Sequence, residues 1–148
     1  MFTLRKATPN DLERNFEIWR TAVAATHHFL SREDFRQISG LVRNAYLPTA
    51  DLVVAVDAND LAHGFLGGLG DHIDALFVHA DSRSKGIGTL LVKQFLDGRN
   101  IVTVDVNEQN NSGRGFYERL GFEVFDRSDA DDDGRPYPLL KLPYQRRR

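Results

Sequence analysis

Between Asp74 and Leu91 one stretch limits the fold more than any other. An apolar run, Ala75-Leu76-Phe77-Val78, gives way to a polar turn carrying Arg83 and Lys85, and Gly86 and Gly88 then bracket Ile87 where a helical pattern opens. A strand that feeds a helix through such a turn leaves the first helical N–H groups without partners, and glycine lets an anion approach them. The helix dipole adds partial positive charge, and the two basic side chains add charge-assisted contacts. The junction reads as an anion cradle. It is not a G-x-x-x-x-G-K-[ST] phosphate loop, nor a G-x-G-x-x-G dinucleotide fingerprint, because Leu91 stands where the third glycine belongs. Two glycines would also serve a plain tight turn; the basic residues beside them favour phosphate.

Elsewhere hydrophobic periodicity sets the element order. Phe2–Lys6 reads as a strand, and Leu12, Phe16, Trp19, Ala22 and Val23 fall on one helical face. A second helical pattern, with Phe35, Ile38, Leu41, Val42 and Ala45 in phase, runs from about Arg32 to Tyr46, and Leu47-Pro48 is expected to end it. Leu52–Asp57 and Ala62–Leu69 read as a hairpin around Ala58-Asn59-Asp60, and His72–Val78 as a third strand. A helix from Ile87 to Leu96, a strand at Ile101–Val106 and a short helix at Ser112–Leu120 follow. Phe122–Arg127 and Leu139–Tyr144 close the chain as strands. The order is that of a mixed α/β protein, and 148 residues are expected to form a single domain, 1–148.

Composition removes several function classes. The sequence has no cysteine, which excludes a disulfide scaffold, a thiolate metal site and a cysteine nucleophile. With 19 Lys and Arg against 21 Asp and Glu, no overall basic field recruits nucleic acid. Apolar runs such as Leu52–Val56 are far shorter than the ~20 residues that span a bilayer. Patterned sequence from Met1 onward carries no signal segment, so a cytoplasmic location is expected.

Arg83-Ser84-Lys85-Gly86-Ile87-Gly88 resembles the [RQ]-x-x-G-x-[GA] signature of the GNAT superfamily, the Gcn5-related N-acetyltransferases. Downstream, the stretch from Asn110 through Gly113, Phe116 and Tyr117 to Gly121-Phe122 resembles the same family's N-x-x-A-x-x-[FL]-Y-x-x-x-G-F motif, with Gly113 where alanine is usual. Ala25–Leu30, Asn107–Asn110 and Gly134–Leu140 further resemble the bacterial YjaB-like acetyltransferases. The resemblance implies a mostly antiparallel twisted sheet of about seven strands with splayed central strands, flanked by about four helices.

It also implies a chemistry: acetyl-CoA as co-substrate, attacked directly by an amine, with no metal and no protein nucleophile. Carried over, the backbone of Leu76, Phe77 and Val78 pairs with the pantetheine arm. The N–H groups from Arg83 through Ser84, Lys85, Gly86, Ile87 and Gly88 to Thr89 hold the pyrophosphate, and Asn110 hydrogen-bonds the pantetheine. Tyr117 is the implied general acid for the departing thiolate, and the Val78 N–H the donor to the developing oxyanion. His72, eleven residues before Arg83, is the candidate base, with a water relay as the alternative. Asp74 shares its strand face. His27, Phe29 and Leu30 are expected on the acceptor side. Protein lysine side chains are the implied acceptor; small-molecule amines, or a non-catalytic acyl-CoA binding module, are the alternatives. The family includes monomers and homodimers.

Two local patterns read as bland. Asp129, Asp131, Asp133 and Gly134 match the opening of a calcium loop, but Leu140 stands where its bidentate glutamate belongs, so a solvated acidic turn is expected. Arg146-Arg147-Arg148 reads as a terminal tail.

Overall fold

The computed structural model describes residues 1–146; Arg147 and Arg148, the end of the basic tail, lie outside the described residues. Seven strands join one mostly antiparallel sheet in the order β1-β2-β3-β4-β5-β7-β6. They are β1 (Thr3–Lys6), β2 (Leu52–Val56), β3 (Ala62–Leu69), β4 (His72–Val78), β5 (Ile101–Asn107), β6 (Asp126–Ser128) and β7 (Leu139–Gln145). The helices are α1 (Leu12–Thr26), α2 (Arg32–Leu41), α3 (Ile87–Leu96) and α4 (Asn111–Arg119). Among the described residues no helix is long and apolar enough to cross a membrane. The chain groups into two compact units, one of Met1–Gly68 with Ala75–Gln94, the other of Leu69–Asp74 with the described residues from Phe95 onward.

The first unit is built on a core from α1, β2 and β3. Ile18, Val54 and Phe65 are fully buried, and Trp19 packs its indole between Phe16, Phe35 and Phe77. The face expected for α1 is right, but Ile18 joins it, because the buried stripe is wider than a strict i, i+4 row. The second helical segment departs from expectation. It is α-helical only to Leu41; Val42–Tyr46 is a π turn closed by the Leu47 N–H to the Val42 carbonyl at 2.9 Å. The wider turn brings Leu47, 6% exposed, back toward the face of Val42, whereas Leu41 and Ala45 point to solvent.

A polar clamp fixes where α1 begins. Arg5 donates to both carboxylate oxygens of Asp11 at 2.8 and 3.0 Å, and the Thr8 N–H donates to the same carboxylate at 2.7 Å. The Arg5 hydrogen bonds hold the Asp11 carboxyl below its ordinary value. A depressed carboxyl stabilises the fold above its unfolded value near pH 3.9 and loses that contribution as pH falls through the folded value. Asp11→Asn is therefore expected to cost about 2 kcal/mol at pH 7. Denaturant melts should show the gap between variant and wild type closing below about pH 3.9.

In the second unit β5 alternates cleanly, with Val102, Val104 and Val106 buried and Thr103 and Asp105 on the opposite face. It pairs antiparallel with β7 over seven residue pairs, but parallel with β4 over only two, His72 with Thr103 and Ile73 with Val104. The strand expected at Phe122–Arg127 contracts to Asp126–Ser128. Pro143 explains this. Its carbonyl accepts the Glu123 N–H at 3.1 Å, so its missing N–H falls on that same side, and the reciprocal ladder bond cannot form.

Candidate acetyl-donor and acid–base site

In the first unit β4 leads through a single 3-10 turn, Ala80–Ser82, to the glycine junction and α3. Arg83, Ser84, Lys85 and Gly86 are exposed, whereas Ile87 is 1% exposed and anchors the start of the helix in the core. Ser84 has φ +65° and Gly86 φ +80°, so two left-handed residues curl the backbone where the sequence predicts the cradle. Alternation of this kind turns successive N–H groups toward one concavity that suits an anion. Nothing lies within 4 Å of where a Cβ on Gly86 would stand, which leaves the approach open. These features fit a pyrophosphate. Leu76, Phe77 and Val78 precede the turn as the last residues of β4, and Phe77 turns its ring onto Trp19 and Phe65.

Of the expected acceptor-side residues, His27 caps α1, its N–H donating to the Val23 carbonyl at 2.8 Å and its Nδ1 lying 2.7 Å from the Thr26 hydroxyl. Its ring meets Phe29 at 5.2 Å. Leu30 packs against the core cluster of α1, β2 and β3, so its side chain is at least partly structural.

The second unit carries the acid–base candidates. Tyr117 sits on α4, 6% exposed, edge-on to Phe116 and to Phe122 at 5.1 and 5.2 Å. Phe122 in turn meets Tyr144 at 5.3 Å. Gly121, at φ +103°, stops the helix so that Phe122 folds back under the phenol; a Cβ there would meet Tyr144 at 3.3 Å. Burial pushes the Tyr117 phenol well above its ordinary value, so the side chain stays protonated.

Asn110 is the N-cap of α4, its Oδ1 accepting from the Gly113 N–H and the Ser112 hydroxyl, both at 3.1 Å. A Cβ at position 113 would stand 2.4 Å from Asn110 Nδ2. Gly113 and this Asn110 conformation therefore come as a pair, which gives the departure from alanine a physical reason. With Oδ1 engaged, Nδ2 is the atom with which Asn110 can serve a ligand carbonyl.

His72 lies opposite Thr103 across the short β4–β5 ladder, with Nδ1 2.7 Å from Thr103 Oγ1. Its Nε2 is 4.0 Å from Asp105 Oδ2, and Lys141 Nζ is 3.8 Å from the other oxygen of that carboxylate. A base role requires the tautomer in which Nδ1–H donates to Thr103 and Nε2 carries the lone pair. The burial pattern of β4 puts Asp74 on the His72 side and Ile73 and Ala75 on the other. Thr103, Asp105 and Lys141 had no signal in the sequence, because the strand pairing that gathers them is non-local.

The acidic turn folds on itself. Asp131 Oδ1 accepts the N–H groups of Asp133 and Arg135 at 3.0 and 2.8 Å, and Arg127 engages Glu108 and Asp129. Among the described residues no three His, Cys, Asp or Glu side chains gather as a metal site.

Comparison with known proteins places these features in context. The Acetyltransferase (GNAT) domain matches residues 48–124, which span both the anion turn and Tyr117. A Salmonella typhimurium protein, peptidyl-lysine N-acetyltransferase YjaB, is 44% identical over 97% of this chain and 99% of its own. The solution structure of apo YjaB from Escherichia coli superposes with a TM-score of 0.92 at 43% identity, covering 97% of each chain. The structure of yncA from Salmonella typhimurium with its cofactor acetyl-CoA shares the fold, with a TM-score of 0.66 at 21% identity over 98% of this chain and 94% of its own.

Proposed function

This chain belongs to the GNAT acetyltransferase family, and from that premise we propose that it moves the acetyl group of acetyl-CoA onto the side-chain amine of a protein lysine. The observation that carries the acceptor is 44% identity over nearly the full length of a protein named for peptidyl-lysine acetylation. Acetyl-CoA supplies the activated thioester; the rest follows from this chain's residues.

The Arg83–Thr89 turn binds the pyrophosphate, supported by its two left-handed residues and exposed basic side chains. The backbone of Leu76 to Val78 serves the pantetheine arm as a strand would, and Asn110 Nδ2 adds a hydrogen bond. The two-pair length of the β4–β5 ladder, all of it at the start of β4, supports this reading. Val78 N–H donates to the carbonyl oxygen on which charge develops. A lysine ammonium, with an ordinary pKa near 10.4, must lose a proton before it attacks, and His72 Nε2 takes it directly or through water. Tyr117 gives its proton to the departing sulfur. A donor shared with central metabolism and a cysteine-free chain both accord with the cytoplasm.

Competition decides the acceptor. The enzyme is given acetyl-CoA together with a lysine peptide capped at its N-terminus and a panel of small amines, and products are mapped by mass spectrometry. Acetyl groups should accumulate on the lysine side chain. Preference for a small amine would overturn the lysine acceptor, and tight acetyl-CoA binding without any transfer would favour a binding module.

A further inference from the structure

Three side chains with no role above form one hydrogen-bonded chain at the base of the donor turn. His63, on β3, places Nε2 2.8 Å from Asp57 Oδ2 and Nδ1 2.7 Å from Ser82 Oγ. Asp57 is itself fixed, its other oxygen accepting the N–H groups of Asn59 and Leu61 at 2.8 and 3.1 Å. Phe2 sets its ring edge-on to the imidazole at 5.3 Å. An ionised Asp57 accepts a hydrogen bond from Nε2–H, so in the neutral ring Nδ1 accepts one from the Ser82 hydroxyl.

The order Asp-His-Ser is that of a nucleophilic serine. Burial decides against that role: Ser82 is 3% exposed, and no thioester reaches its oxygen. Its position in the chain suggests another use. Two residues later Ser84 adopts φ +65°, a left-handed conformation that is costly for a residue with a Cβ, and Gly86 follows at +80°. Strained backbone of this kind persists only where its surroundings fix it. The anchors lie just upstream: the His79 N–H donates to the His63 carbonyl at 2.8 Å, the Ala80 N–H to the Thr21 hydroxyl at 3.2 Å, and the Ser82 hydroxyl to the His63 ring.

We infer that His63 is a positioning residue for the acetyl donor: by bridging Asp57 and Ser82 it holds the Ser82–Gly86 turn in the conformation that takes a pyrophosphate. The inference rests on the reading of that turn as the pyrophosphate site.

The test compares acetyl-CoA with acetyl-pantetheine, which lacks the pyrophosphate, as donors for the wild type, Ser82→Ala, His63→Ala and Lys85→Ala. Ser82→Ala removes one buried oxygen, and it carries the test if His63→Ala fails to fold. Ser82→Ala and His63→Ala should each raise KM for acetyl-CoA about tenfold, with kcat and the KM for acetyl-pantetheine unchanged. If Lys85→Ala raises the acetyl-CoA KM while the other two variants match wild type, the pyrophosphate site stands and the positioning role is overturned. An equal loss of kcat with both donors would also overturn it, by making His63 generally structural. If the wild type uses both donors equally well and Lys85→Ala changes nothing, the pyrophosphate reading fails and takes the inference with it.

Discussion

Tyr117→Phe is expected to lower kcat about 10²–10³-fold while leaving acetyl-CoA affinity where it was. The substitution removes one oxygen and keeps the ring edge-on to Phe116 and Phe122, so the packing of α4 survives. A phenol held above its ordinary value by burial is at first sight a poor acid for a thiolate, whose ordinary value is near 8.5. The same desolvation acts on a sulfur leaving beside it and raises its affinity for a proton, which brings the two back toward a match. The raised phenol has a second consequence. Tyr117 should not lose its proton in the alkaline range where lysine acceptors become reactive, so the pH–rate profile should show no fall due to Tyr117 up to about pH 10. Stopped-flow or steady-state thiol release across that range checks both statements. A variant with wild-type kcat would remove the acid from Tyr117 and leave the ring as packing alone.

Gly64→Val should destabilise the first unit and weaken its donor site together. A Cβ on Gly64 would stand 2.8 Å from Ile87 Cγ2 and 3.2 Å from the Phe77 carbonyl oxygen. The first neighbour is buried core and the second is backbone, so neither gives way cheaply. Overpacking of this kind costs about 2 kcal/mol, which for a chain of this size lowers Tm by about 6–8 °C. Ile87 opens α3 and Phe77 precedes the donor turn, so the variant's acetyl-CoA KM should rise as well. Thermal melts and donor titrations read the two effects separately. An unchanged Tm would mean that α3 does not pack on β3 as described.

What the sequence disclosed and what it hid divide along one physical line. The Arg83–Gly88 junction, the helix from Ile87 to Leu96 and the strand that opens at Ile101 are local: residue type and backbone conformation meet within a few positions, and the structure has them where expected. The features it hid depend on partners far along the chain. His72 gains Thr103 and Asp105 only through a parallel pairing across 31 positions, and His63 finds Ser82 across 19. The shortened β6 follows from a proline on its neighbour rather than from anything in Phe122–Arg127 itself. The π turn at Val42–Tyr46 answers a demand of the core, to seat Leu47, that periodicity within the segment does not express. Asn110 lies between these cases. Its motif position marked it, but its commitment to capping α4 through Oδ1 emerged only from the space that Gly113 leaves open.

The central claim is acetyl transfer to a lysine side chain, and its most direct measurement is CoA-thiol release from acetyl-CoA in the presence of matched peptides. The two peptides differ only in carrying lysine or arginine, and both have capped N-termini. Release should rise with the lysine peptide, saturate with its concentration, and stay at the no-acceptor level with arginine. Release indifferent to the peptide, or absent while acetyl-CoA still binds, would contradict it.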